Sequence, residues 1–412
     1  MTLCAMALGG YLLFYGVGVL LAHLLGAAAY GDYCVAVASV TLAVAVSTVG
    51  LEKLALRALP AYVQRQEWSL AHGFWRFGLG VVLSASIVVS FLVIDGEALA
   101  NVTLSTHAEA RVLVFLPAIG LFLLMLEVAT AAGAPLWAAF VYRLVLPGIL
   151  LGTILALARS PWEVTAPRAA TCYGCAWIVA LGLMYALVRR TMPAPIWSAR
   201  SRFRSSEWFT GGLPYMVNSL LLTLLAQSSV IVLELVRPLD PEVAIYAAAA
   251  QTGSFIVLTA TSTNRFYLPR LSVLIERGDT AGIRAQQRQR LVSLGSLCGV
   301  FLGICVGFGR AILGLFGAGF DAGYAALCLI AAANTTSTIL ALKPYYLQFV
   351  KYHRQVVGIT ALVAVVNAGA CVPLAYRYGA LGAAVAYAVS MIGMHVIFYA
   401  LATRDLQRRE RL

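Results

Sequence analysis

Apolar runs of about 20 residues, separated by short polar stretches, repeat along nearly the whole 412-residue chain. A helix needs roughly 20 apolar residues to cross the ~30 Å hydrocarbon core of a bilayer. The pattern predicts about twelve such helices. Six fall at about residues 3–24, 34–58, 76–94, 112–134, 136–157 and 169–188. Six more fall at about 211–235, 243–263, 291–309, 324–342, 355–375 and 380–401. No intervening stretch is long enough for a soluble domain. The first run begins almost at Met1 without a basic leader, so it is expected to be a retained helix rather than a signal peptide.

The longest polar break is RRTMPAPIWSARSRFRSSEW, Arg189 to Trp208, with five arginines against the single acid Glu207. It divides the chain into a six-helix lobe (1–188), a basic connector (189–208) and a second six-helix lobe with a short basic tail (209–412). The connector is expected to be a loop that only joins two bundles. Lys and Arg are retained on the cytoplasmic side of membrane proteins. With the helices placed as above, one side holds only Arg111, Arg159, Arg168, Arg237, Arg310 and Arg377. All other basic residues fall on or near the opposite side, which puts both termini in the cytoplasm.

Composition sharpens the class. At 61% hydrophobic and 11% charged, the chain has too few charges to keep a soluble surface of this size wet. The net charge of +12 does not point to nucleic acid, because the basic residues sit between apolar runs, where they meet anionic lipid headgroups. Eight cysteines are scattered through apolar segments, and only Cys172 and Cys175 have a C-x-x-C spacing. Without a second ligand pair they are read as small buried residues, with no metal and no cofactor expected. No nucleotide-binding loop or Ser-His-Asp arrangement is present, so neither an ATP-driven pump within this chain nor a hydrolase is indicated.

A weak internal repeat links the halves. Tyr33 lies 24 residues before Arg57, and Tyr246 lies 24 residues before Arg270. In each case the Tyr opens a small-residue helix (YCVAVASV, YAAAAQTG) that runs to a basic end. Parallel repeats of this kind place a substrate cavity between two lobes. Four segments carry a family resemblance: LLGAAAYGDY (Leu24–Tyr33), GLEKLALRALPAY (Gly50–Tyr62), LGLFGAGFDAGYAALCLI (Leu313–Ile330) and RYGALGAAVAYAVS (Arg377–Ser390). In their order and spacing the chain resembles the oligosaccharide-lipid (O-antigen) flippases of the MOP exporter superfamily. The resemblance implies two MATE/MOP-like six-helix lobes around a central cavity that works by alternating access. It implies a polyprenyl-pyrophosphate-linked oligosaccharide as substrate, moved from the cytoplasmic to the outer leaflet of a bacterial inner membrane. Membrane lipids, and polymerase or assembly proteins of surface polysaccharide biosynthesis, are the implied partners. Where that family often has Arg near the end of helix one, this chain has His23, whose charge depends on pH.

A pyrophosphate headgroup needs a cationic, wet path, since a bare charge at the bilayer centre costs several kcal/mol. Arg binds phosphate oxygens through bidentate hydrogen bonds. The candidates for that cavity are Arg57, its repeat partner Arg270, Arg143, Arg265, Lys53 and His23. Each has the plainer alternative of snorkelling to the headgroups. Lys53 can instead pair with Glu52. Glu127, deep in helix four, is expected either to pair with Arg143 across the hairpin or to serve as an ion-coupling site. Glu234 is expected to be solvated, with ion coupling as the alternative. Asn218, Gln227, Gln251, Asn264, Asn334 and Asn367 either line a sugar-binding cavity or tie helices together. Two competing readings remain: an ion-coupled multidrug exporter of the same superfamily, and a membrane glycosyltransferase or polymerase. The first favours an acidic cavity, which helices one to three do not offer. The second needs acids on sizeable outer loops, which are lacking here.

Overall fold

In a computed structural model, residues 2–99, 106–238, 240–350 and 352–410 are described, and among them every regular element is a helix. The chain divides into two compact units, Met1–Gln227 and Ser228–Leu412. The first unit contains α1 (Thr2–Ser47), α2 (Leu51–Gln64), α3 (Trp68–Leu99), α4 (Thr106–Leu113), α5 (Leu116–Ala131) and α6 (Pro135–Phe140). It continues through α7 (Leu146–Arg159), α8 (Ala166–Thr191) and α9 (Ala194–Ser198) into α10 (Ser205–Val236), inside which the division falls. The second unit contains α11 (Pro241–Gly253), α12 (Val257–Glu276), α13 (Thr280–Gly314), α14 (Tyr324–Leu340), α15 (Leu342–Phe349) and α16 (His353–Glu410).

Among the described residues, nine stretches are long and apolar enough to cross a membrane. Two of them, Ala5–Ser47 and His353–Arg409, are 43 and 57 residues long. At 1.5 Å per residue each is at least twice a ~30 Å core. Each is also interrupted by one glycine with non-helical geometry, Gly26 (φ 75°, ψ 168°) and Gly379 (φ 58°, ψ −135°). Read as two passes each, and with the shorter apolar helix Leu116–Ala131, the described residues reproduce the twelve helices of the sequence pattern. Many large apolar side chains on these spans face outward, among them Ile87, Val88, Phe91 and Leu92 on α3 and Leu362, Val365 and Val366 on α16. Such a surface belongs in lipid, not water.

Several boundaries differ from the sequence expectation. Between the first two spans the chain leaves helical geometry only at Gly26, in a conformation open to glycine and strained for other residues. The second helix breaks at 48–50, where Val49 and Gly50 both have positive φ, and restarts as α2. The gap is filled by α10: a Cβ on Gly50 would meet the Gly212 carbonyl oxygen at 2.2 Å. The eighth helix also breaks, at 254–256, but there Ser254 and Ile256 keep right-handed geometry. The ninth begins at Thr280, eleven residues earlier than the apolar run, because Asp279 caps it by accepting a hydrogen bond from Gly282 N–H at 2.7 Å.

The connector is not a free loop. It folds back onto the first unit and buries Ile196 and Trp208. Trp208 Nε1 donates to Tyr62 Oη at 2.9 Å and packs edge-on against Phe74. Arg202 N–H donates to the Ser69 carbonyl at 2.9 Å, and the Ala199 carbonyl lies 2.7 Å from His72 Nδ1. Arg189 stacks over Trp197, 4.2 Å from its ring. Aromatic faces thus hold a segment whose charges alone suggest only solvation.

Candidate functional site

In the first unit Lys53, Arg57 and Glu127 come together at the restarted helix α2. Lys53 and Arg57 are one turn apart and share a face of α2. Lys53 reaches Glu127 on α5 and forms an ion pair with it, with side chains 44% and 17% exposed. Glu127 therefore pairs with Lys53, neither with Arg143 nor left alone. Arg57, one turn further on, is exposed. Glu52 points the other way and is buried, with Oε2 lacking a hydrogen-bond partner. The face thus presents an ion pair followed by a cation.

Arg143 lies in a π-helical turn, Val141–Val145. The turn has a local cause: Pro147 has no N–H, so the Arg143 carbonyl loses its usual i+4 donor. Gly10 packs directly on that carbonyl, where a Cβ would sit only 2.1 Å from the oxygen. The half-buried Arg143 guanidinium lies 5.3 Å from the Tyr142 ring centroid. Turns of this type often occur at functional positions. His23 is exposed near the end of the first pass.

In the second unit Arg270 is exposed near the end of α12 and lines a cavity of about 520 Å³ with Val273, Leu274 and residues of α13. The Arg265 side chain lies outside the described residues, as does Lys351 altogether. Glu234 is only 2% exposed, so it is buried rather than solvated. Three of the asparagines tie helices together. Asn334 donates to the Gly253 carbonyl at 3.1 Å, which the break in the eighth pass leaves available, and accepts from Tyr387 Oη at 2.8 Å. Asn367 donates to Ser228 Oγ at 2.9 Å. Asn264 accepts from Arg290 at 2.7 Å.

Arg290 was hidden in the sequence among five other arginines of one polar run. It is 1% exposed and also donates to the Thr338 carbonyl at 3.3 Å. The Gly-Asp-Thr signal at 278–280, a helix stop followed by a cap, would have placed it well inside α13. Among the described residues no group of His, Cys, Asp and Glu has the makings of a metal site.

No curated protein matches the sequence. The sequence model of the family described as "Polysaccharide biosynthesis protein" matches residues 1–274. Among solved structures, an inward-facing multidrug resistance MATE family transporter of the MOP superfamily is similar, with TM-score 0.73 and 12% identity over 100% of this chain and 95% of that one. The lipid II flippase MurJ, in an inward closed conformation, is similar with TM-score 0.71 and 12% identity over 98% of this chain and 87% of that one. A MATE transporter of Vibrio cholerae gives TM-score 0.62 and 14% identity over 99% of this chain and 97% of that one. At these identities the structural matches establish the fold.

Proposed function

The chain belongs to the polysaccharide biosynthesis protein family, and on that premise we propose that it flips polyprenyl-pyrophosphate-linked oligosaccharide from the cytoplasmic to the outer leaflet by alternating access. It acts as a transporter rather than an enzyme, in a bacterial inner membrane with both termini in the cytoplasm, and it hands its cargo to polymerase or assembly proteins.

The observation that carries this reading is the charge left over near the membrane segments of the first unit. Glu127 is neutralised by Lys53, while Arg57 and Arg143 form no ion pair among the described residues. A surplus of arginine suits an anionic diphosphate, to which guanidinium groups bind as planar bidentate donors. An outward-moving anion also gains about 2.3 kcal/mol per charge per 100 mV of inside-negative potential, so charge alone does not demand a coupling ion. Arg57, Arg143 and Arg270, with Arg265, Lys53 and His23, are the proposed headgroup contacts.

The buried carboxylates Glu52 and Glu234 favour a second reading, a cation-exporting transporter on the same fold. Equilibrium binding to the purified protein separates the two. The flippase reading expects saturable binding of a polyprenyl-pyrophosphate oligosaccharide that weakens at least about tenfold in Arg57→Ala, the loss of one charge-assisted contact. Binding of cationic dyes, abolished in Glu234→Gln and indifferent to Arg57→Ala, would overturn it.

A further inference from the structure

The hairpin of α12 and α13 carries a groove that the candidates above touch only at one edge, through Arg270. Its walls are two regular helix faces, with Arg270, Val273 and Leu274 on α12 and Ala285, Gln286 and Gln289 on α13. Offsets of three and four residues place each set on one side of its helix. Together they enclose about 520 Å³ within the second unit.

Three kinds of surface meet in this groove. Leu274 forms an apolar floor, so close to Gly282 that a Cβ there would stand 2.7 Å from Leu274 Cδ2. Val273, 44% exposed, and the exposed Ala285 extend it. Two side-chain amides stand along the floor. Gln286 is 6% exposed, and its Nε2 donates to the Tyr267 carbonyl at 2.7 Å, which fixes the amide in place. Among the described residues no donor meets its Oε1. Gln289 is exposed on the next turn, and Arg270 adds a guanidinium at the edge.

Chemistry and position together name the occupant. An apolar floor flanked by neutral amides matches a sugar, whose ring offers a C–H face and a rim of hydroxyls that both donate and accept. An isoprenoid chain has no use for the amides, and burying them against it without hydrogen bonds is costly. Every lining residue falls between the eighth apolar run, which ends at about 263, and the ninth, which begins at about 291. The groove therefore stands at headgroup depth and beyond, outside the hydrocarbon that holds a lipid's chain. A lipid-linked sugar arrives there with its diphosphate at headgroup level, where a guanidinium binds phosphate oxygens as a bidentate donor.

We propose, on the premise of the flippase reading above, that this groove recognises the first sugar of the lipid-linked oligosaccharide, the one joined to the diphosphate. Arg270 donates to the diphosphate at the edge of the groove. Gln286 Oε1 accepts from a hydroxyl of the sugar or from the amide N–H of an acylated amino sugar. The Gln289 amide meets the hydroxyls nearer the solvent. Leu274, Val273 and Ala285 pack against the C–H face of the ring. Cargo is thus selected by its first sugar on the side where it is loaded.

The test is equilibrium binding to the full-length protein in detergent. The probes are polyprenyl pyrophosphate carrying one N-acetylhexosamine or one hexose, the sugar-free polyprenyl pyrophosphate, and the free sugars as competitors. One glycosylated probe should bind at least about tenfold more tightly than the sugar-free one, the worth of one or two hydrogen bonds with their apolar contact. Ala285→Phe, which fills the groove from an exposed position, and Gln286→Leu should erase that preference and leave affinity for the sugar-free probe unchanged. Arg270→Ala should weaken both probes. A thermal midpoint matching the unaltered protein confirms that each variant folds. Alanine makes no side-chain hydrogen bond, so Ala285→Phe carries the test if Gln286→Leu loses stability. No binding of any polyprenyl pyrophosphate would overturn the flippase reading and the groove's role with it. Four results would overturn the groove's role alone: binding without a sugar preference in the unaltered protein, a preference that survives Ala285→Phe, an equal loss for the sugar-free probe in that variant, or competition by free sugar at the concentration of the lipid-linked probe.

Discussion

Replacing Gly73 with Ala should unseat the connector while leaving the spans intact. A Cβ at residue 73 would stand 1.8 Å from the Arg202 carbonyl oxygen and 2.7 Å from its carbon. Real Cβ contacts essentially never fall under 3.0 Å, so the connector must retreat by about 1.2 Å, which stretches the 2.9 Å bond from Arg202 N–H to Ser69 beyond hydrogen-bond range. Loss of that bond, with loosened packing around Ile196, should remove about 2 kcal/mol from docking, or ~30-fold in the undocked population. Trypsin reads this directly, since Arg200, Arg202 and Arg204 are exposed but held in a docked backbone that the protease cannot thread. Cleavage of an opened segment follows its population when reclosing is fast. Gly73→Ala should therefore be nicked in the connector ~30-fold faster than the unaltered protein. Gly80→Ala, on the same helix with nothing within 4 Å of the added carbon, should be nicked at the original rate. Equal nicking in Gly73→Ala and the unaltered protein would refute the docked-connector account.

Four further outcomes follow from the geometry. Glu127→Gln should destabilise by about 0.5–1 kcal/mol in denaturant titration, modest because Lys53 is nearly half exposed, and the reversed pair Lys53→Glu/Glu127→Lys should regain most of the loss. Asn334→Ala should cost about 2 kcal/mol by the same measurement, because the Tyr387 hydroxyl and the Gly253 carbonyl lose their partner in a buried site. Gly379→Ala should cost at least about 1 kcal/mol, since the residue has φ 58° and an added Cβ would crowd the Glu242 carboxylate that accepts from Ala380 N–H. Lys343 has a folded pKa lowered from 10.5 to about 8, so the folded state binds fewer protons than the unfolded one between those values. In lipid-free detergent, stability should therefore rise as pH climbs from about 8 to 10.5, and Lys343→Met should flatten that rise.

The spans were legible because lipid imposes a simple rule on the chain: about 20 apolar residues per crossing. Gly26 and Gly379 also stood inside the segments that suggested the family, and both prove to be the points where the chain leaves helical geometry. What hydropathy could not reveal was where helices extend into polar sequence. The start of α13 at Thr280 is set by the Asp279 cap, and a hydropathy reading passes over it. The docking of the connector rests on Ile196, Trp197 and Trp208, which sit among arginines and look like ordinary interfacial residues. The partner of Glu127 depended on which turn of α2 faces α5, and that follows from the break at Val49–Gly50. A one-dimensional pattern carries the length of a helix but not its rotation about its own axis.

Flipping itself is the central claim, and reconstitution measures it. Proteoliposomes carrying a fluorescent polyprenyl-pyrophosphate oligosaccharide in the inner leaflet would be exposed to an externally added glycan-degrading enzyme, and loss of the sugar followed over time. Protein-dependent loss that falls at least about tenfold in Arg57→Ala and in Arg143→Ala, with both variants folded, is the predicted result. Sugar that stays protected at every protein density, in vesicles where the same protein drives uptake of cationic dyes, would contradict it.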